Sequence, residues 1–445
     1  MIEFLTFFLG IVAGPQKVVV VADDQVAAVE LRLDGTTMAA LQKAPWEFEV
    51  DFGTELLPRK LEAVALDSRG DEVGTALQLL NVPRPAAEVS LVLRHESDGP
   101  VQAEIAWESA SGKPTEMIAL LDDEEVPIID EQRIDLTRVD TSYLHLLQVE
   151  MWFPDLSSAR GHLVFGGEYV DETSADLTAF PVILAKGSPR HVEMEGWFAG
   201  DSTPLRVATV ERGLASLIIV RTPGVVGAFK SLAGRPEQGP AQASGALGPI
   251  AFRAEATSGD RQRAALPLDE DLRVRLIVPR ALKESGRQLD FDLFSVSPEI
   301  RSRLGGLYWT LTQDVVVGGP ASKTRVGDAV TLAGTQAAGT NHRRTVLLIV
   351  AGPWEDHSQF DVAAVRRYLD ALNVPLVVWR VGEDETGGAE WEPAEEISDY
   401  GDLKRAWRAL EKDLDRQRIV WLEGLHLPNT VQITQGAGVD PVIER

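Results

Sequence analysis

The densest group of chemically useful side chains in this sequence follows the apolar run Arg344–Ala351. Glu355, Asp356 and His357 are consecutive, and they lie where the carboxyl end of a buried strand would be. Two carboxylates beside an imidazole could hold a divalent cation or act as the acid–base groups of a hydrolase. The alternative interpretation is a polar loop that caps the next helix, because loops of this kind are commonly polar without being catalytic.

A second group of carboxylates lies between Glu383 and Asp402, where the sequence has nine acidic residues and no basic one. This run could bind Ca²⁺ or attract a basic partner. An extended, solvated loop explains the same composition, and we favour that interpretation. The shorter acidic turn Asp122–Glu125 is interpreted as a hairpin tip, because four consecutive carboxylates cannot all face one ion.

Composition and motifs exclude several other classes of function. The formal net charge of −25 disfavours binding to nucleic acid or to anionic lipid. With no cysteine, the chain has no disulfide, thiol nucleophile or thiolate metal site. The seven histidines show no H-x-H or H-x-x-x-H spacing, and no G-x-S-x-G, Walker or G-x-G-x-x-G motif is present. We therefore expect no cofactor, no structural metal and no catalytic residue.

The elements that would position Glu355 to His357 form an α/β pattern. Apolar runs of strand length at Arg344–Ala351, Val374–Val381 and Arg418–Leu422 alternate with amphipathic helical segments at Asp361–Leu372 and Asp399–Gln417. Strands that are apolar on both faces and alternate with helices predict a mostly parallel, doubly wound sheet.

The rest of the chain predicts all-β modules, with domain boundaries at 17–84, 86–185 and 190–445. The first segment contains Val29–Gly35, Ala44–Phe48 and Leu61–Gly70, which resemble a bacterial Ig-like β-sandwich. That resemblance implies a stalk or an interaction surface. The second segment is predicted to be another β-sandwich, and it includes Ala179–Ile183. A Gly/Pro-rich insertion at 234–248 is placed inside the third domain.

Four segments of the third domain resemble a von Willebrand factor A domain, closest to the related proteins described from Acidobacteria. They are Ser216–Val220, Thr324–Val330, Arg343–Gly352 and Val365–Gly382. The resemblance implies a metal-ion-dependent adhesion site with D-x-S-x-S after the first strand, a Thr in a later loop and an Asp after the fourth strand. Oxygen ligands of this kind would hold Mg²⁺ and leave one position for a partner's carboxylate.

This sequence departs from that pattern. Arg221 and Thr222 stand where the first ligands belong, Ala351 replaces the late Asp, and Thr324 alone matches. We therefore expect the metal site to be lost. Arg221 is a candidate anchor for a partner's carboxylate, since a guanidinium can replace the metal in that pairing. It would equally serve as a cap of the strand end.

The leading hypothesis is a non-enzymatic protein-binding or scaffolding protein. Its contacts would come from the metal-free A-like face, at Arg221, Thr222, Thr324 and Glu355 to His357, or from the β modules. The alternative is a hydrolase or metal-dependent enzyme with a site near Asp356 and His357 in an interdomain cleft.

Residues 1–16 are either a signal segment or a first strand, because the apolar run Phe4–Ala13 is too short to span a bilayer. With the β modules, this favours a periplasmic or secreted protein over a cytoplasmic one. No integral membrane segment is expected.

Overall fold

A computed structural model describes residues 2–8, 11–23, 25–82, 87–94, 102–109, 112–122, 124–129, 132–153, 158–167, 177–184, 191–200, 203–232, 266, 268–280, 294–297, 299–301, 307–312, 323–382, 389–434 and 438–443. The predicted insertion at 234–248 lies outside these residues, as do Glu383, Asp384 and Glu385 of the acidic run.

The first module is a β-sandwich, as predicted. Its strands are β1 (Ile2–Phe4), β2 (Pro15–Ala22), β3 (Ala28–Leu33), β4 (Thr36–Leu41), β5 (Trp46–Asp51), β6 (Arg59–Leu66) and β7 (Glu72–Leu80). One sheet has the order β1-β2-β5 and the other β4-β3-β6-β7. Burial alternates strictly along β5, so Trp46, Phe48 and Val50 enter the core between the sheets. Within residues 1–16, Ile2–Phe4 pair with β2 as strand β1, and Phe4 is only 5% exposed.

The second module is also a sandwich of two antiparallel sheets. Its strands are β8 (Ala87–Arg94), β9 (Gln102–Ser109), β10 (Glu116–Leu121), β11 (Glu124–Val126), β12 (Ile128–Ile129), β13 (Arg133–Asp135), β14 (His145–Trp152) and β15 (Ser158–Phe165). The sheet orders are β12-β13-β9-β8 and β11-β10-β14-β15. The described part of the acidic turn is a tight one: Asp122 has φ 52° and accepts hydrogen bonds from Leu146 N and His145 Nδ1.

The remaining strands belong to the third unit. They are β16 (Leu177–Leu184), β17 (Phe198–Gly200), β18 (Thr203–Pro204), β19 (Val207–Glu211), β20 (Ala215–Arg221), β21 (Leu272–Val278), β22 (Ser295–Val296), β23 (Ile300–Arg301), β24 (Arg343–Val350), β25 (Leu376–Val381), β26 (Glu395–Ile397), β27 (Gln417–Glu423), β28 (Val431–Ile433) and β29 (Val439–Pro441). The described helices are α1 (Val225–Leu232), α2 (Leu307–Thr312), α3 (Val326–Gly339), α4 (Val362–Ala371) and α5 (Tyr400–Arg416), with single 3₁₀ turns at His191–Met194 and Ala389–Trp391.

A mostly parallel sheet forms the centre of this unit. Strands β21, β20, β24, β25 and β26 are parallel in that spatial order, and the short β22 and β23 pair with β21 in the antiparallel sense. Alternate residues of the strands face opposite sides. Helices α1, α2 and α5 cover one side, and α3 and α4 cover the other. The predicted doubly wound arrangement is therefore present, and the strand order reverses between β20 and β24.

The predicted helices are confirmed in position and in their buried faces. Asp361 is the N-cap of α4, where its carboxylate accepts a hydrogen bond from Ala364 N at 2.7 Å. The apolar stripe of α5, including Trp407, is buried against the sheet.

Two strands were assigned to the wrong sheets. Arg418–Leu422 was predicted as a parallel strand, but β27 lies in an antiparallel sheet of order β19-β27-β16-β29. The segment Ala179–Ile183, predicted to belong to the second sandwich, is β16 of that same sheet. Both strands are buried on two faces in either arrangement, so the apolar pattern of each cannot identify its neighbour.

The described part of the acidic run, from residue 389 to Asp402, differs from the extended, solvated loop that we favoured. It contains β26, and Arg380 of β25 pairs with Glu392 and Glu396. Asp399 is the N-cap of α5, where it accepts a hydrogen bond from Asp402 N. The hydrogen bond from Arg380 lowers the pKa of Glu392. Glu392 and Glu396 thus stabilise the edge of the sheet, and Asp399 stabilises the beginning of α5.

Candidate functional site

The loops after β20 and β24 meet at the reversal of strand order, which is where doubly wound sheets usually bind ligands. Thr222 is fully buried between them: its hydroxyl accepts a hydrogen bond from Ala351 N at 3.1 Å and lies 3.3 Å from Ala351 O. Gly224 lies so close to the other loop that an added Cβ would be 2.4 Å from Ala351 O. The crevice between these two loops is therefore filled by main chain and by the Thr222 side chain.

Arg221 does not have the accessibility of an anchor. Its side chain is only 3% exposed, and Nη1 donates to Leu311 O at 2.6 Å, beneath α2. A partner's carboxylate could reach this guanidinium only if α2 moved away. The structure therefore favours the other interpretation of Arg221, in which it fixes the strand end to its neighbouring helix.

Thr324 and Asp356 both stabilise the beginning of α3. Thr324 is 5% exposed, its hydroxyl accepts from Arg280 Nε at 3.1 Å, and its carbonyl accepts from His357 N at 2.8 Å. One oxygen of Asp356 accepts from Val326 N at 2.9 Å, from Ser358 N and from Ser358 Oγ; the other accepts from Gly327 N. Asp356 thus caps the helix that precedes it by 30 residues, whereas the sequence suggested a cap on the helix that follows.

A reciprocal contact fixes the other side of this loop. Asp328, in the first turn of α3, accepts hydrogen bonds from Gln359 N and Phe360 N. Ser358 Oγ accepts one from Asp328 N. Burial raises the pKa of the Asp328 carboxyl, although these two hydrogen bonds oppose the effect. The loop after β24 is in this way fastened to α3 through side chains on both segments.

The accessible part of the predicted site is small. The Glu355 side chain is 84% exposed and the His357 side chain 34%, and Glu355 Oε2 lies 3.7 Å from His357 Nε2. The alternative hypothesis of an enzyme placed a site near Asp356 and His357, but both carboxylate oxygens of Asp356 are engaged with α3 and Ser358. Among the described residues, no group of three or more His, Asp or Glu side chains is arranged to hold a metal ion.

The closed crevice gives a prediction with two opposite signs. Replacing Gly224 with alanine is expected to lower the free energy of unfolding by about 1–3 kcal/mol, since the new Cβ meets main chain on the facing loop. Replacing Gly227 with alanine should instead raise it by up to about 1 kcal/mol, because this helical glycine has nothing within 4 Å of an added Cβ. Urea unfolding of both variants measures the two effects. If Gly224→Ala left the free energy of unfolding unchanged, the crevice between the two loops would have to be open.

A different surface was not identified as a site from the sequence. Leu5, Phe7, Val73 and Leu77 are 54–64% exposed, and we call this group the N-terminal apolar edge. Its two segments are neighbours, because Gln78 accepts a hydrogen bond from Phe8 N and donates one to Thr6 O. The available signal was the alternation along residues 2–8, in which Leu5 and Phe7 fall on the same outward positions as the exposed Glu3.

Comparisons with known proteins give no family for this chain. No protein-family model and no curated protein matches it. Among solved structures, it is similar to fibronectin(III)-like modules of Clostridium thermocellum CbhA, with 17% identity over 18% of this chain and 93% of that one and a TM-score of 0.17. The central fibronectin-III array of RIM-binding protein is 7% identical over 44% and 81%, with a TM-score of 0.18.

A β-glucuronidase from Parabacteroides merdae is 13% identical, with a TM-score of 0.19; the similarity covers 37% of this chain and 25% of the enzyme. All three TM-scores lie below 0.5, so none of these similarities assigns a function.

Proposed function

We propose that this chain is a non-enzymatic protein-binding or scaffolding protein that contacts its partner through the N-terminal apolar edge. Residues 190–445 would be a von Willebrand factor A-like domain without the adhesion metal site, acting as a support for the β modules. The doubly wound sheet and the buried Arg221 at the position of the first metal ligand support this part of the proposal.

One observation carries the choice of surface. The polar groups of the strand-end loops are hydrogen-bonded within the domain, whereas Leu5, Phe7, Val73 and Leu77 are exposed on two adjacent segments of one sandwich edge. Apolar side chains grouped in this way mark interaction surfaces more often than isolated ones do. We therefore place the partner contact on the first β module and not on the A-like face.

The charge around this edge defines the partner's chemistry. Glu3 is exposed on β1, and the side chains of Asp71 and Glu72 beside Val73 are 69% and 55% exposed, although each also pairs with an arginine, Arg69 and Arg32 respectively. The whole chain carries a net charge of −25. A protein with an apolar surface bordered by Lys or Arg would match both features, and a second copy of this chain would be repelled. We place this interaction outside the cytoplasm.

The test compares two exposed apolar pairs of the same size. The partner is first identified by cross-linking it to the wild-type protein in an extract of the source cells. The double variant Phe7→Ser/Leu77→Ser should bind this partner at least ~100-fold more weakly than the wild type does, because two apolar anchors contribute about 3 kcal/mol or more. The control Tyr143→Ser/Leu425→Ser alters side chains that are 67% and 69% exposed elsewhere and should bind normally.

A third variant, Glu355→Gln/His357→Gln, distinguishes the two surfaces. We expect it to bind the partner as well as the wild type does. If this variant loses the partner while Phe7→Ser/Leu77→Ser retains it, the contact lies on the A-like face and the proposal is wrong.

A further inference from the structure

The outer face of the β14–β15 hairpin is packed against the third unit, and polar side chains meet there. Arg160 Nη2 donates to Gln148 Oε1, and Gln148 Nε2 donates to Glu211 Oε2 of β19. Trp421 Nε1 of β27 donates to the other oxygen of Glu211 at 2.9 Å, and the His162 ring lies 4.3 Å from the Trp421 ring. We call this contact the second-sandwich seam.

Two histidines in the seam have ring nitrogens shielded from solvent and without a hydrogen-bond partner among the described residues. They are Nε2 of His162 and both ring nitrogens of His342, a residue that is only 3% exposed. Arg160 contributes two more such nitrogens, Nε and Nη1. His162 belongs to the second module and His342 to the third unit, and the charge of Arg160 acts on both imidazoles.

Charged side chains on several neighbouring strands surround these imidazoles. Glu150 is on β14 and Glu211 on β19, whereas Arg160 is on β15 and Arg273 and Arg275 are on β21. Glu299 pairs with Arg273 and Arg275, and Arg343 of β24 pairs with Asp271 at 2.6 Å. Glu211 accepts hydrogen bonds from Gln148 and Trp421. A protonated histidine would add a buried positive charge beside Arg160, which is unfavourable.

We propose that the second-sandwich seam is a proton-sensitive contact: protonation of His162 and His342 separates the β14–β15 face from the third unit. An imidazolium here adds positive charge beside the cations Arg160 and Arg273. Burial, followed by the charge of Arg160, holds the pKa of His162 well below its ordinary value of 6.5. Burial, followed by the nearby cations, does the same for His342.

The direction of the pH effect follows from these shifts. The free imidazoles take up protons below about pH 6.5, whereas in the closed seam they resist protonation. The closed seam therefore has its full stability above pH 6.5 and becomes less stable as the pH falls below that value. With two such groups, the equilibrium constant for opening should rise up to ~100-fold for each pH unit in this window.

Hydrogen exchange of the full chain, followed by mass spectrometry between pH 7.5 and 5, tests this inference. After correction for intrinsic rates, peptides from β14, β15 and β27 should lose protection as the pH falls, while β3 and β6 of the first sandwich keep theirs. In the variant His162→Phe/His342→Phe the pH dependence should disappear. The control His357→Phe changes an accessible histidine and should leave it intact.

A second measurement keeps the test independent of whether the double variant folds. Exchange of the imidazole C2 hydrogen in the wild type gives the pKa of each histidine directly. We expect both His162 and His342 to titrate well below the ordinary imidazole pKa of 6.5. Ordinary titration of both residues, or the same loss of protection in the double variant, would overturn the inference.

Discussion

Replacing Arg344 with methionine is expected to lower the free energy of unfolding by about 3 kcal/mol, through the loss of hydrogen bonds to two helix ends. Arg344 is the second residue of the central strand β24 and is only 2% exposed. Its Nη1 donates to Ala338 O at the end of α3, and its Nε and Nη2 donate to Asn373 O and Leu372 O after α4. One guanidinium thus satisfies carbonyls at both helix C-termini, where a cation is also favoured.

The destabilisation is large because the substitution leaves buried carbonyl groups without a hydrogen-bond donor. Each buried carbonyl that loses its donor costs roughly 1–3 kcal/mol, and removing the desolvated cation returns part of the total. Methionine has enough length to fill the space but cannot donate. Lysine should recover less than half of the loss, because its single ammonium cannot reach three carbonyls in the planar geometry of arginine.

Urea unfolding followed by tryptophan fluorescence gives the measurement, and Arg367→Met is the matched control. Arg367 lies on the exposed face of α4, so its replacement should change the free energy by less than about 0.5 kcal/mol. Equal effects of Arg344→Met and Arg367→Met would show that the buried guanidinium does not hold the two helices.

The sequence predicts the helices of the α/β unit well because their signal is local. Val365, Leu369 and Leu372 recur at the period of one helix face, and all three are buried in α4 or directly after it. Strand pairing is not local. The run Arg418–Leu422 is apolar in any buried sheet, and only the completed fold shows that its neighbours are β16 and β19.

The contacts of the candidate site were even harder to predict from the sequence than the strand pairing. Arg221 at the end of β20 was weighed as an anchor for a partner or as a cap of the strand end, and α2, which covers it, begins 86 residues later in the chain. The Asp356 carboxylate was weighed as a metal ligand or catalytic group, yet its hydrogen bonds run to the start of a helix that comes before it in the sequence. Long-range contacts of this kind leave no periodic pattern.

The seam between the second module and the third unit was missed for a related reason. Gln148 and Glu150 alternate with apolar residues along β14, which normally marks a strand with one wet face. Both side chains are instead buried, at 2% and 6% exposure. Polar residues on a buried sheet face resemble solvated ones in sequence, so the partner surface of β19 and β27 could not be anticipated.

A contact between the first sandwich and α4 leads to the second large effect. Tyr368 of α4 donates its hydroxyl proton to Asn81 O at 3.0 Å, and Leu56 of the first sandwich packs in the same apolar cluster as α3 and α4. Burial raises the pKa of Tyr368 to about 12, so this donor stays protonated across the physiological range. The main-chain position of Asn81 is therefore part of the contact.

Replacing Asn81 with alanine is expected to destabilise the first sandwich by about 3–5 kcal/mol. The Asn81 amide accepts from Val12 N at 2.7 Å and donates to Val12 O and Leu57 O, so three buried main-chain groups lose their partner. Asn81 also has φ 56°, a conformation that costs alanine about 1–2 kcal/mol more than glycine. Asn81→Gly should therefore be less harmful than Asn81→Ala by about that amount.

Asn341 provides the matched control, because it has the same φ of 56° and its side chain makes no hydrogen bond with the described residues. Asn341→Ala should lose only the backbone preference, roughly 1 kcal/mol. Thermal unfolding, with limited proteolysis at the β1–β2 connection, separates the two variants. If both lost the same stability, the side-chain hydrogen bonds of Asn81 would contribute nothing. The connection between β1 and β2, which links Leu5 and Phe7 to the core through Val12, would then depend on apolar packing alone.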